Sequence, residues 1–214
     1  MHRQNVLALA LLGLVSLAVV TVGYASGRGP LGVLGYAVDK FRRVGDKPTA
    51  LVPDGASTVA PELAPGNWIN SEPLKLKSLR GRVVLVDFWT FGCYNCRNTL
   101  PALKDWDARY REKGLTIIGV HSPEFDEEKN LESLRREVVS LGIQYPVVTD
   151  NDYATWRAYD VEAWPTIFVL DKLGRIRWTH VGEGKYAETE QVIQKLLAEA
   201  DRQTVGQTEA PAAN

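Results

Sequence analysis

Two continuous apolar runs, Val83-Val84-Leu85-Val86 and Leu115-Thr116-Ile117-Ile118-Gly119-Val120, constrain this chain more than any other feature of it. Strands covered on both faces read as unbroken runs of this kind rather than as alternations. Between them Leu100, Leu103, Trp106 and Tyr110 recur at helical spacing, which predicts a helix from Cys96 to about Arg111. Parallel neighbours need such a crossover, and the crossover is right-handed. Further on, Leu131, Leu134, Val138 and Leu141 predict a second helix, Tyr145 to Thr149 a short strand and Asp152 to Tyr159 a short helix. This middle portion reads as an αβ insertion. Thr166 to Leu170 and Arg175 to Val181 are predicted to form a hairpin about Asp171-Lys172-Leu173-Gly174, and Val192, Ile193, Leu196 and Leu197 stripe a final helix. The order is βαβ, insertion, ββα, an α/β domain.

The 214 residues suffice for one domain with appendages, and a formal net charge of −1 gives no basic field to attract nucleic acid. Residues 4–27 carry no charge, and Val6 to Val22 is almost wholly apolar. Such a segment matches the roughly 20 residues a membrane helix needs and exceeds a secretory h-region of roughly 7 to 15. Residues 1–25 are therefore read as a membrane anchor. Gly23-Tyr24-Ala25 has small residues at both recognition positions of a cleavage site, so a processed, secreted chain is the alternative. Arg3 precedes the span whereas Arg28, Lys40, Arg42 and Arg43 follow it, a distribution that argues weakly against export. Residues 26–61, rich in Gly, Ala and Pro, read as a flexible linker, 62–201 as the domain and 202–214 as a frayed tail.

Two cysteines are too few for a disulfide scaffold, and their spacing, Cys93-Tyr94-Asn95-Cys96, is that of a reactive dithiol. The pair follows a buried strand and opens a helix, where unpaired N–H groups and the positive end of the macrodipole favour a thiolate. Cys93 is the expected nucleophile. Cys96, one turn in, is placed to attack a mixed disulfide on Cys93 and release a reduced partner. A metal site needs more ligands than the pair and the three His residues, His2, His121 and His180, provide, so no metal or other cofactor is expected. Asp87 stands six residues before Cys93 on an otherwise apolar strand, where burial raises a carboxyl's pKa. Such a group suits proton transfer to and from Cys96; the alternative is an exposed strand-end Asp.

The strand end Asp87-Phe88-Trp89, the C-x-x-C, Pro101 five residues on and Trp164-Pro165-Thr166 together resemble the thioredoxin superfamily. More narrowly the chain resembles the bacterial membrane-anchored TlpA/ResA-type proteins and the C-terminal domain of DipZ-type proteins. The last similarity is carried by F-W-T-F-G-C-Y-N-C-R-N-T-L-P, G-V-H-S-P-E-F, D-N-D-Y-A-T-W-R-A-Y and H-V-G-E-G, from about Pro61 to Ala200. It implies a thioredoxin fold: a central mixed sheet flanked by helices, here with the central insertion and an N-terminal extension. By this resemblance Pro165 is the cis-proline facing the dithiol, Trp164 offers backbone hydrogen bonds to an extended substrate, and Pro101 kinks the active-site helix. Two departures stand out. Tyr94-Asn95 replaces Gly-Pro between the cysteines, leaving the potential open, and Thr99 occupies the place of the Glu common in cytochrome-maturation members.

The resemblance implies a thiol-disulfide oxidoreductase whose domain is extracytoplasmic, acting on protein thiols and disulfides. By the same resemblance its electrons would come from a dithiol donor such as a membrane-spanning transporter. Phe91 and Tyr94, with Trp89, are candidates for an apolar collar around the partner peptide, Trp89 being read equally as core packing. One rival is a peroxiredoxin-like thiol peroxidase, because Thr90-Phe91-Gly92-Cys93 matches T-x-x-C, although Val86 stands where that signature has proline. Another is a dithiol copper chaperone using His121 or His180. Both histidines are read otherwise as surface or rim residues, and Glu127, Glu128, Lys129, Arg135 and Arg136 as the solvated face of the second helix.

Overall fold

The computed structural model describes residues 51–199. The anchor, most of the linker and the tail expected from sequence lie outside these residues; among the described residues no helix is long and apolar enough to cross a membrane. The strands are β1 (Trp68–Ile69), β2 (Val83–Trp89), β3 (Leu115–His121), β4 (Val147–Thr149), β5 (Thr166–Leu170) and β6 (Ile176–Val181). The helices are α1 (Tyr94–Tyr110), α2 (Leu131–Ser140), α3 (Ala154–Ala158) and α4 (Tyr186–Ala198). They form a six-stranded mixed sheet in the order β1-β4-β3-β2-β5-β6, a thioredoxin-like fold.

The central βαβ unit is β2, α1 and β3. Its strands pair in parallel from Val83 opposite Leu115 to Trp89 opposite His121. Every residue of β2 is buried, as its unbroken apolar run predicts. Val83, Leu85 and Trp89 pack beneath α1, α2 and α4 with Leu103, Trp106, Leu134 and Ile193. Val84, Val86 and Phe88 face a second layer that includes Leu63, Leu76 and Tyr159. Each such fully buried side chain contributes roughly 1.5–3 kcal/mol of hydrophobic stabilisation. The inserted α2 and β4 extend the sheet, β4 lying parallel to β3 and β1 closing the edge antiparallel. β1 is two residues long, too short to leave a pattern in the sequence.

The ends of elements differ from the sequence reading for local reasons. α1 starts at Tyr94 because the Cys93 sulfur caps it. β4 starts at Val147 because Pro146 has no N–H for the ladder. α3 starts only at Ala154, since Tyr153 is left-handed at φ 55. Pro101 sits inside α1, where its ring removes the bond to the carbonyl one turn back.

The linker was expected to run to Pro61, but the chain joins the domain ten residues earlier. Val52 N–H donates to the Arg177 carbonyl, Ala60 N–H to that of Gly174, and Ile176 N–H to that of Thr58. Asp54 accepts from the guanidinium groups of Arg175 and Arg177. This pairing follows the outer edge of β6, a contact between distant segments that local composition does not register.

Candidate active site

β2 delivers Asp87 and Trp89, the turn after it delivers Phe91 and Gly92, and α1 begins on the dithiol. Cys93 is partly exposed and unpaired, and its sulfur accepts the Cys96 N–H at 3.2 Å. Cys93 N–H in turn donates to the Thr90 carbonyl at 3.3 Å, which closes the turn. Cys96 is buried, and burial first, then the hydrogen bond its thiol makes to Cys93 and the Asp87 charge, push its thiol well above the ordinary range. The two thiols thus stand in unlike surroundings, one open to a partner and the other screened from water.

Asp87 lies inside β2 between Gly119 of β3 and Ile167 of β5, only 1% exposed, so it is not a strand-end residue. Burial pushes its pKa from 3.8 up to about 8. Among the described residues its Oδ1 has no hydrogen-bond partner, nor do the buried Trp89 Nε1 and Tyr145 hydroxyl. Tyr145, which sequence reasoning left as a strand residue, is fully buried and its hydroxyl is raised by burial and by the charges of Asp87, Asp107 and Cys96.

The Trp164-Pro165 peptide is cis. Trp164 Nε1 donates to the Ser122 carbonyl at 2.9 Å and its ring lies 4.4 Å from that of Trp156. Phe91, Cys93 and Trp164 are all partly buried against the core cluster that lies beneath α1. Tyr94 is 76% exposed and points away from that core.

Two readings from sequence are corrected. His121 is completely buried rather than on a surface or rim: its ring stacks on Phe91 at 5.3 Å, and Nε2 lies 3.2 Å from Thr90 Oγ1. Burial brings its pKa down to about 4. His180, on β6, is also buried, with its pKa lowered chiefly by burial. Glu128 belongs to no solvated helix face. It sits in a 3-10 turn, Asp126–Lys129, before α2, and is buried with Oε1 accepting the Gly92 N–H at 2.9 Å. The available signal was Gly92 itself, because a glycine beside a nucleophile marks a close approach.

A family model described as the AhpC/TSA family matches residues 57–179. Protein DipZ of Mycobacterium tuberculosis (strain CDC 1551 / Oshkosh) is 42% identical over 136 residues, covering 62% of this chain and 20% of that protein. This chain therefore spans about a fifth of the length of its DipZ relatives. Thiol-disulfide oxidoreductase ResA of Bacillus thuringiensis (strain Al Hakam) is 27% identical over 128 residues, 60% of this chain and 71% of that protein. The crystal structure of a thiol-disulfide isomerase from Corynebacterium glutamicum is similar with a TM-score of 0.60 at 28% identity, covering 66% of this chain and 98% of that one. With a matching family model over more than half its length and a thioredoxin-like sheet carrying the dithiol, the chain belongs to the AhpC/TSA family.

Proposed function

We propose that this chain is a membrane-tethered thiol-disulfide oxidoreductase that reduces or exchanges disulfides of extracytoplasmic proteins. One observation carries the reading: a partly exposed Cys93 caps α1 and accepts the N–H of a buried Cys96. Cys93, as thiolate, attacks a substrate disulfide; one substrate sulfur leaves and takes a proton, and a mixed disulfide forms. Cys96 then gives its proton to the ionised form of Asp87, a minor fraction at neutral pH that its pKa of about 8 makes a stronger base than an ordinary carboxylate, and attacks Cys93. The second substrate sulfur leaves reduced, and the enzyme retains the Cys93-Cys96 disulfide. Two electrons from a dithiol donor reverse the cycle, and a membrane-spanning transporter is the donor the tethered arrangement suits. The extended substrate segment lies along Trp164-Pro165, with Phe91 and Tyr94 as flanking apolar contacts. Residues 1–25 anchor the protein, a role supported by the uncharged stretch 4–27.

The rivals fare less well. A thiol peroxidase would need the Thr90 hydroxyl at the reacting sulfur, but that hydroxyl is directed to His121. A copper chaperone would need His121 or His180 beside the dithiol, yet His121 is fully buried with Nε2 on Thr90 Oγ1, and His180 stands on β6, separated from β2 by β5. The test is to equilibrate the full chain in detergent micelles with glutathione buffers of graded poise and titrate the pair by alkylation and mass spectrometry. A potential near thioredoxin's roughly −270 mV is expected, whereas one near roughly −120 mV would make the protein an oxidant and overturn the direction.

A further inference from the structure

Glu128 carries a carboxylate that is 2% exposed, and all three of its hydrogen bonds come from backbone N–H groups. Oε2 accepts from Glu124 at 2.6 Å and from Phe125 at 3.1 Å, and Oε1 reaches across 36 positions of sequence to Gly92. Burying a carboxylate costs several kcal/mol unless it is well bonded, and only a group with two acceptor oxygens can take donors from both sides. Gln would turn an NH₂ towards donors on one side. The group also places a formal negative charge one residue before the nucleophile, opposing what the α1 N-terminus does for a thiolate. His121, which feels that charge, is held neutral by burial and does not offset it. Gly92 is cut to fit. A Cβ there would lie 2.3 Å from Glu128 Oε1, and apart from its chain neighbours no described residue other than Glu128 comes within 4 Å of it.

We propose that Glu128 is a positioning residue for Cys93, fixing the Gly92 backbone with a buried negative charge and so biasing the Cys93-Cys96 pair towards its disulfide. The proposal rests on the dithiol-exchange reading and adds to it the residue that sets the balance. Two variants attack the contact from opposite sides. Glu128→Gln removes the charge, and Gly92→Ala, at a position without left-handed backbone, displaces the carboxylate.

The experiment measures the dithiol-to-disulfide ratio at fixed glutathione poise for the full chain in micelles, in wild type, both single variants and the double variant. Each single change is expected to raise the ratio about threefold or more, and the double change to add nothing beyond the larger single, as one shared contact requires. Ratios within twofold of wild type in folded variants, or additive effects, overturn the proposal. If Glu128→Gln does not fold, Gly92→Ala alone decides by the same threshold. Hydrogen exchange of the Gly92 amide in wild type decides as well, since exchange at the rate of a free amide would mean that the carboxylate does not hold it. Insulin reduction by wild type separates the two levels. An inactive wild type sinks the exchange reading, whereas an active one with unmoved ratios sinks only the role of Glu128.

Discussion

Asp87 ties the chemistry of the site to the stability of the protein. Its pKa is about 8 in the fold against 3.8 for the free group, so between these values the native state holds a proton that the unfolded chain has released. Stability therefore falls as pH rises from about 4 to about 8 and levels off above. At about 1.4 kcal/mol per unit the cost reaches up to about 6 kcal/mol. Asp87→Asn should remove this slope, giving a variant more stable than wild type at pH 9 in urea titrations but slower in the step at which Cys96 resolves a mixed disulfide. A wild type whose stability is flat from pH 5 to pH 9 would show that Asp87 is not protonated in the fold. The two cysteines and Asp87 were legible because each departs from its surroundings: two thiols one turn apart, and one acid in an apolar strand. Glu128 was not, because it lies in a charged run whose neighbours Asp126, Glu127 and Lys129 are indeed exposed, and its partners are backbone groups that leave no mark on composition. His121 was missed for a related reason. A histidine at a strand end reads as rim, and the packing of Phe91 and Trp89 against its ring is not visible in the local sequence.

Among the elements, β3 is the one whose sequence carries a hidden requirement. Gly119 is paired with Asp87, and a Cβ there would lie 2.8 Å from Trp89 Nε1 and 3.3 Å from Tyr145 Cε2. The missing side chain lets an indole and a phenol close over the buried acid. Gly119→Ala should cost about 1–3 kcal/mol by overpacking, read as a lower midpoint in denaturant with an unchanged slope. An unchanged midpoint would mean that Trp89 and Tyr145 move aside freely. The alternation of runs and helical stripes revealed the βαβ, the hairpin and the last helix. It could not reveal β1, whose two residues are held by their partner β4, nor the start of β4 at Val147, set by Pro146.

At the scale of the whole molecule, Arg177 joins parts that are remote in sequence. Its guanidinium is buried and meets Asp54 at 2.9 Å, Asp171 at 3.3 Å and Glu199 at 3.2 Å, and its Nε donates to the Val52 carbonyl. Burial alone would raise Asp171, but bonds from the Arg175 backbone and guanidinium and from Arg177 outweigh it and hold the carboxyl below 3.8. This contribution is present above that value and is lost as pH falls through the lower, folded one. Arg177→Ala strands buried acid against β6 and should destabilise by about 3 kcal/mol or more, with residues 51–60 becoming sensitive to protease. Resistance of that segment in the variant would mean that the backbone pairing alone retains it.

The Arg177 cluster lies beside the β5–β6 turn, where β2 begins, whereas Cys93 lies past the other end of β2. A strand of seven residues puts about 20 Å between them. The first described residues and the last ones meet at that cluster, so the described domain has a polarity like that of a socket wired from behind: residues 51 and 199 both leave from the back, and the dithiol lies at the front.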